Sequence, residues 1–137
     1  MDKSFAYFDH DADIGIIGRG ATIEQAFEAA ADAMFAIMAK PARRVASTTI
    51  RVIFIETDLE LALVTWLNRL LAEARTGGLM LFSFRLERHG SRWDGSAKGC
   101  PWGRTRERGV EVKGATLTAL SVRPRADGME ARCVVDV

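Results

Sequence analysis

Two segments of the chain repeat apolar residues every three or four positions, which is the spacing of an amphipathic helix. The first segment begins with a capping box, in which Thr22 is the cap and Gln25 lies three residues later. We expect its helix to end at Pro41. Three acids on another face of it are expected to be solvated surface: Glu24, Glu28 and Asp32. Its apolar face consists of Ile23, Phe27, Ala30, Met34 and Met38.

The second helical segment begins with another capping box, in which Thr57 is the cap and Glu60 lies three residues later. Its helix should end at Gly77-Gly78. Trp66 falls in the middle of its apolar stripe, where a core role is expected rather than a ligand platform. The stripe consists of Leu59, Leu63, Trp66, Leu67, Leu70, Leu71 and Ala74.

Alternating or β-branched runs predict strands in much of the remaining chain, whereas residues 99–109 have no period and should form an exposed loop. Strands outnumber helices, and both helices follow a strand after a short turn. We therefore predict an α+β fold in a single domain spanning residues 1–137, with a mixed or mostly antiparallel sheet and two amphipathic helices packed on it. The predicted strands cover residues 5–8, 14–17, 48–55, 79–87, 92–98, 110–122 and 129–137.

Composition is ordinary for a globular protein, but charge is spread unevenly along the 137 residues. Residues 1–40 carry seven acids against three basic residues, and residues 85–132 carry eleven Lys and Arg against six acids. Such asymmetry can steer charged partners, although solvated surface is the favoured explanation. Cys100 and Cys133 are too far apart for a zinc motif and are expected to be free thiols. No signal peptide or membrane span is evident, so we expect a cytoplasmic protein.

The candidate chemistry lies at the two acidic ends of the chain. The first is Asp9-His10-Asp11-Ala12-Asp13, and the second is Asp136 followed by the α-carboxylate of Val137. If folding brings these ends together, several hard oxygen ligands converge, which suits Ca²⁺ or Mg²⁺. In an extended segment the three aspartates of the first cluster would share one side and His10 would face the other. An aspartate-rich turn that caps backbone N–H groups is the structural alternative.

Two other features have candidate roles. Lys113 follows Val112 and could counterbalance the carboxylates or reach a phosphate, although a surface lysine is as good an explanation. The loop with Arg104, Arg106 and Arg108, together with Trp102 and Trp93, interleaves basic and aromatic groups and could contact RNA, with a solvated loop as the default. No nucleophile elbow, phosphate loop or HExxH motif is present, so no catalytic residue is assigned.

Several motifs, which follow one another along nearly the whole chain, resemble those of the archease family in sequence and order. They are Phe8-Asp9-His10-Asp11-Ala12-Asp13-Ile14-Gly15, Thr22-Ile23-Glu24-Gln25-Ala26-Phe27, Asp58-Leu59-Glu60 with Trp66-Leu67-Asn68, Glu111-Val112-Lys113, and Val134-Val135-Asp136-Val137. The chain departs from the family pattern at Asp11, where Thr is usual, and at Leu117 and Thr118, where Tyr-His is frequent.

The resemblance implies a non-enzymatic protein cofactor of an RtcB-type RNA ligase, acting on RNA only through that ligase. Archeases promote GTP-dependent guanylylation of the ligase's active-site histidine and support multiple turnover in tRNA splicing or RNA repair. The resemblance also implies a divalent-metal site at Asp13, Asp136 and Val137, and a functional role for Lys113; His10 and Asp11 are further candidates for partner contact. Two alternatives stay open, a metal-dependent phosphoesterase using the same carboxylates and an RNA-binding or chaperone module.

Overall fold

A computed structural model describes residues 2–41, 45–102 and 105–137, with the side chains of residues 40, 41 and 105–108 left out. The elements in chain order are β1 (Ser4–His10), β2 (Asp13–Gly20), α1 (Ile23–Met38), β3 (Ala39–Pro41), β4 (Thr48–Ile55), α2 (Leu59–Gly77), β5 (Leu79–His89), β6 (Arg92–Pro101), β7 (Thr105–Arg108), β8 (Gly114–Ala115), β9 (Ser121–Arg125) and β10 (Gly128–Asp136). The predicted α+β class is confirmed.

All the strand pairings described are antiparallel, and they form three sheets rather than the one expected. Strands β1, β2, β10 and β8 follow one another in the largest sheet, and β9 also pairs with β10. A second sheet has the order β4-β6-β5, and β3 pairs with β7 in a third. The largest sheet therefore joins the two ends of the chain.

Each helix begins at a side-chain cap, but the second cap is not the one predicted. Thr22 Oγ1 accepts from the Gln25 N–H at 3.1 Å, as expected for α1. For α2 the cap is Asp58 rather than Thr57, because Asp58 Oδ1 accepts from the N–H groups of Glu60 and Leu61 at 2.9 and 3.0 Å. Gly78 ends α2 with a left-handed φ of 63°, as its position predicted. The first helix ends at Met38, ahead of Pro41.

The core lies where both helices meet the sheets. Trp66 is fully buried, and its Nε1–H donates to the Phe27 carbonyl at 3.1 Å. Phe27 stacks on Trp93 with ring centroids 5.2 Å apart, and Trp93 stacks on Phe54 at 5.9 Å. The predicted core role of Trp66 is confirmed. No helix among the described residues is long and apolar enough to cross a membrane.

Three predictions about local structure were wrong. Residues 99–109 are not one loop, because β6 continues to Pro101 and residues 105–108 pair with β3. The single strand predicted for residues 110–122 is instead the two-residue β8, a turn with Ala119 at a φ of 53°, and the start of β9. Glu28 is buried rather than solvated: it accepts from Lys3 Nζ at 3.1 Å and from the Leu86 N–H at 2.8 Å, which ties α1 to strand β5.

Candidate functional site

The two acidic ends of the chain meet at one corner of the largest sheet. Strand β10 runs antiparallel to β2 with Val135 opposite Ile14, so Asp136 and Val137 continue beside Asp13. The Val137 N–H donates to Asp13 Oδ1 at 3.2 Å, joining residues 124 positions apart. We call Asp13, Asp136 and Val137 the acidic corner.

A two-residue turn at Asp11-Ala12 places the remaining acidic residues differently from the prediction. Asp11 adopts a left-handed φ of 53°, which aspartate tolerates better than most residues. The turn reverses the chain, so His10 lies opposite Asp13 and Asp9 lies opposite Ile14. Residues paired across a ladder share a face of the sheet. His10 and Asp13 are therefore on one side and Asp9 is on the other, and the expected grouping of three aspartates against His10 was wrong.

His10 and Asp11 lie at the tip of this hairpin, beside the acidic corner. The His10 Nδ1 atom is 3.9 Å from Asp11 Oδ2. The Asp11 carboxylate is almost fully exposed, which leaves it open to a partner. Both predicted contact residues thus lie next to Asp13.

Helix α2 holds Lys113 beside the acidic corner through the backbone. The Lys113 N–H donates to the Asp136 carbonyl at 2.8 Å, and the Lys113 carbonyl accepts from Arg75 Nη2 at 2.7 Å. Asn68 clamps the adjoining β8, because its side chain both donates to the Ala115 carbonyl at 3.1 Å and accepts from the Ala115 N–H at 2.9 Å. The Lys113 side chain remains exposed. Asn68 and Arg75, seven residues apart on α2, position this segment and were given no such role from the sequence.

The acidic corner offers only oxygen ligands. Two side-chain carboxylates and the α-carboxylate of Val137 are hard donors of the kind that Ca²⁺ and Mg²⁺ prefer. Among the described residues, no three His, Cys, Asp or Glu side chains are grouped as a metal site. In the predicted ligand set, Val137 is the third residue beside Asp13 and Asp136. The donor chemistry fits such a cation, since Asp13 also keeps a second carboxylate oxygen besides the one bonded to Val137.

Of the two aromatic residues considered for RNA contact, Trp102 is partly buried and Trp93 is not available at the surface. Trp93 is fully buried between Phe27 and Phe54, and its Nε1–H donates to the Glu56 carbonyl at 2.9 Å. The burial of Trp93 therefore removes it from the alternative in which this loop contacts RNA. Arg104 lies outside the described residues, and the side chains of Arg106 and Arg108 are not described.

A second charged cluster, on the same sheet as the acidic corner, was missed from the sequence. Glu130 on β10 is fully buried beneath four arginines: Arg19, Arg123, Arg125 and Arg132, which we call the arginine patch. The nitrogen–oxygen distances to Glu130 are 3.1, 3.7, 2.6 and 3.0 Å respectively. Arg132 also lies over the Phe8 ring, with its Cζ atom 5.3 Å from the ring centroid.

Opposing effects act on the Glu130 carboxyl. Burial by itself would raise the pKa of Glu130, but the hydrogen bond from Arg19 and the charge and hydrogen bond of Arg132 outweigh burial and hold that pKa below its usual range. Glu130 is therefore ionised at neutral pH. Alternation along β10 places Glu130 on the same face as Arg132 and Asp136. The converging arginines, however, come from three strands, and their meeting depends on the strand order.

Comparisons with known proteins agree on one family. The model of the Archease protein family (MTH1598/TM1083) matches residues 5–137. The protein archease of Methanosarcina acetivorans is 30% identical over 141 residues, with 98% of this chain and 97% of that protein covered. That of Methanosarcina barkeri is 31% identical over 150 residues, with the same coverage of 98% and 97%.

Solved structures share the fold. The solution structure of protein 1598 of Methanobacterium thermoautotrophicum matches with a TM-score of 0.79 and 28% identity, over 97% of this chain and 98% of that one. The crystal structure of an archease from Thermotoga maritima, described as a possible chaperone, matches with a TM-score of 0.66 over 95% of this chain and 94% of that one; at 19% identity that likeness concerns the fold alone. The chain therefore belongs to the archease family.

Proposed function

We propose that this protein is a cofactor of an RtcB-type RNA ligase and promotes GTP-dependent guanylylation of the ligase's active-site histidine. Family membership supports this role. The observation that carries it is the hydrogen bond from the Val137 N–H to Asp13 at 3.2 Å, because it fixes the chain end beside an aspartate 124 residues away. A rigid acidic corner of this kind is suited to a partner's active site that contains metal ions and a nucleotide.

The corner would hold a divalent cation through Asp13, Asp136 and the α-carboxylate of Val137, with Ca²⁺ and Mg²⁺ as the candidates. When bound, that cation supplies positive charge at the surface that meets the ligase. Lys113, Asp11 and His10 surround the corner and would contact the ligase directly. The protein would act by binding more tightly to the ligase conformation in which GTP is aligned for attack, since an activator with equal affinity for all conformations shifts nothing.

The experiment follows transfer of labelled GMP to the ligase in the presence of this protein, GTP and Mg²⁺. Wild-type protein should accelerate the transfer, and Asp13→Asn and Asp136→Asn should each remove most of the acceleration. Asp9→Asn is the matched control: it removes the same charge from the same hairpin, but from the other face of the sheet. Adding one glycine after Val137 should be as damaging as Asp13→Asn, because it moves the α-carboxylate away.

Two results would contradict the proposal. If the wild-type protein leaves the guanylylation rate unchanged, it is not a cofactor of that reaction. If the Asn variants activate the ligase as well as wild type does, the acidic corner is not needed for activation. Isothermal titration of the isolated protein with Ca²⁺ or Mg²⁺ tests the metal separately from activity, and binding should be lost in the Asp13 and Asp136 variants. Hydrolysis of a model phosphodiester by the isolated protein, abolished by Asp13→Asn, would instead favour a phosphoesterase.

A further inference from the structure

The arginine patch lies on the outer face of the largest sheet. Helix α1 covers the other face, because a Cβ atom at Gly18 would lie 2.2 Å from the Ala26 carbonyl oxygen and 2.4 Å from the Ala30 nitrogen. Gly18 therefore faces the helix, and Arg19, the next residue along the strand, faces away from it. The four arginine side chains keep between 26% and 57% of their exposure, so they are accessible from solvent.

Positive charge exceeds negative charge in this cluster by three. Four guanidinium groups surround one carboxylate, and each guanidinium carries five N–H donors in a planar fork. Glu130 has only two oxygens, so most of these donors remain for a ligand. The buried carboxylate also draws the four side chains together, which lowers the conformational freedom that a ligand would otherwise have to remove. Such an array matches phosphate groups, which guanidinium binds through paired hydrogen bonds.

We propose that the arginine patch binds the phosphodiester backbone of single-stranded RNA. The patch spans strands β2, β10 and β9, about 10 Å across at the usual strand spacing, enough for two or three phosphates. The identification of RNA among phosphodiester polymers rests on the proposed function, in which the partner ligase acts on RNA. The binding itself rests on the charges and positions of the four arginines.

The composition of the patch favours a nucleic acid over an acidic protein. Protein interfaces are usually centred on buried aromatic and aliphatic anchors, whereas nucleic-acid interfaces are polar and strongly positive. The large exposed apolar side chains of this sheet are Phe5 and Tyr7, which contact each other on the other face. Tyr7 is fixed there by its hydroxyl, which donates to the Ala33 carbonyl of α1 at 2.8 Å. Arginines thus make up most of the accessible outer face around Glu130, with the partly exposed Phe8 ring beside Arg132.

The test measures binding of a fluorescent, unstructured RNA oligonucleotide to the full chain, by anisotropy, over a series of salt concentrations and without any ligase. The main variant is Arg123→Gln with Arg125→Gln, because these are the most exposed arginines and Arg19 and Arg132 still neutralise Glu130. Two lost phosphate contacts should lower the salt slope by about 1.4 and weaken binding about tenfold at low salt. Arg123→Gln alone, which removes the most distant partner of Glu130, should lower the slope by about 0.7.

The matched control is Arg85→Gln with Lys98→Gln, which removes the same two charges from exposed positions of the three-stranded sheet. It should bind RNA with the wild-type affinity and slope. Undetectable binding by wild type at low salt, an unchanged slope in both arginine variants, or an equal loss in the control would overturn the proposal. Displacement of the RNA by polyglutamate as effectively as by unlabelled RNA would also overturn it, in favour of an acidic protein partner. Because no ligase is present, these outcomes are independent of the guanylylation experiment.

Discussion

Replacing Glu130 by glutamine tests whether one buried carboxylate holds the outer face of the largest sheet together. The substitution keeps the size and shape of the side chain but removes the negative charge at the centre of four guanidinium groups 2.6 to 3.7 Å away. Like charges that were drawn together would then repel one another. We expect Glu130→Gln to fold into the same structure with lower stability.

The size of the effect follows from burial and screening. Removing one partner of a fully buried ion pair costs about 3–5 kcal/mol in free energy of unfolding. Here the carboxylate has no exposed surface, but the arginines are 26% to 57% exposed and can be partly rehydrated. We therefore expect a loss of about 2–3 kcal/mol, which lowers Tm by about 10 °C in a chain of this size.

The pH dependence has a definite sign. Burial alone would raise the pKa of Glu130, but the arginines lower it below its usual range, so the folded protein holds the carboxylate ionised to lower pH than the unfolded chain does. A depressed pKa in the folded state stabilises the fold above the unfolded value of about 4.3, and that contribution disappears as the pH falls through the folded pKa. The stability difference between wild type and Glu130→Gln should thus be complete at pH 7 and shrink below about pH 4.

Urea denaturation of both proteins at pH 7 and across the acid range measures these differences directly. Raising the salt concentration should reduce the deficit of the variant, because screening weakens the repulsion among its arginines. A difference in Tm below about 2 °C at low salt and pH 7, or a deficit that stays constant on acidification, would refute the electrostatic account of this cluster.

Three further predictions concern the scaffold. Gly18→Ala should cost about 1–3 kcal/mol in urea denaturation, because its Cβ would meet the α1 backbone at 2.2 Å; no loss would mean that the helix can move away freely. Asp58→Ala should lower the free energy of unfolding by about 1 kcal/mol, while Thr57→Ala should change it little. A larger loss in thermal stability for Thr57→Ala than for Asp58→Ala would instead identify Thr57 as the cap. Burial raises the pKa of the Cys133 thiol to about 12, so this thiol should resist alkylation at pH 8 until urea unfolds the chain; mass spectrometry showing rapid labelling of the native protein would contradict its burial.

Local patterns were sufficient for the elements with strong periodicity. Both helices and the core position of Trp66 follow from the spacing of apolar residues. The alternation predicted along β5 holds only after Ser83, because residues 79–82 are all buried and the register shifts between Phe82 and Arg85. The meeting of the acidic ends also agreed with the sequence-based expectation, because a strand that ends at residue 136 beside the first hairpin leaves Asp13 and Val137 adjacent.

Features that depend on tertiary pairing could not be read in the same way. Glu28 and Glu130 look like surface acids in a linear pattern, yet both are buried because partners from distant strands satisfy them. A turn at Asp11-Ala12 inverted the expected grouping of the aspartates, since alternation holds only within a continuous strand. Pairing of residues 105–108 with residues 39–41 joins segments that have no shared local signal.

The separation of 124 residues between Asp13 and Val137 also bears on how the protein is made. Both helices and the whole three-stranded sheet lie between Asp13 and Val137 in the sequence, and during synthesis the amino-terminal parts of a chain fold first. The hairpin of β1 and β2 can therefore form before β10 is available, and the contact with Asp13 forms only after Val137 has left the ribosome. An intermediate of synthesis that lacks Asp136 and Val137 would already hold most of the secondary structure but not the acidic corner, so it could not bind a partner through that corner.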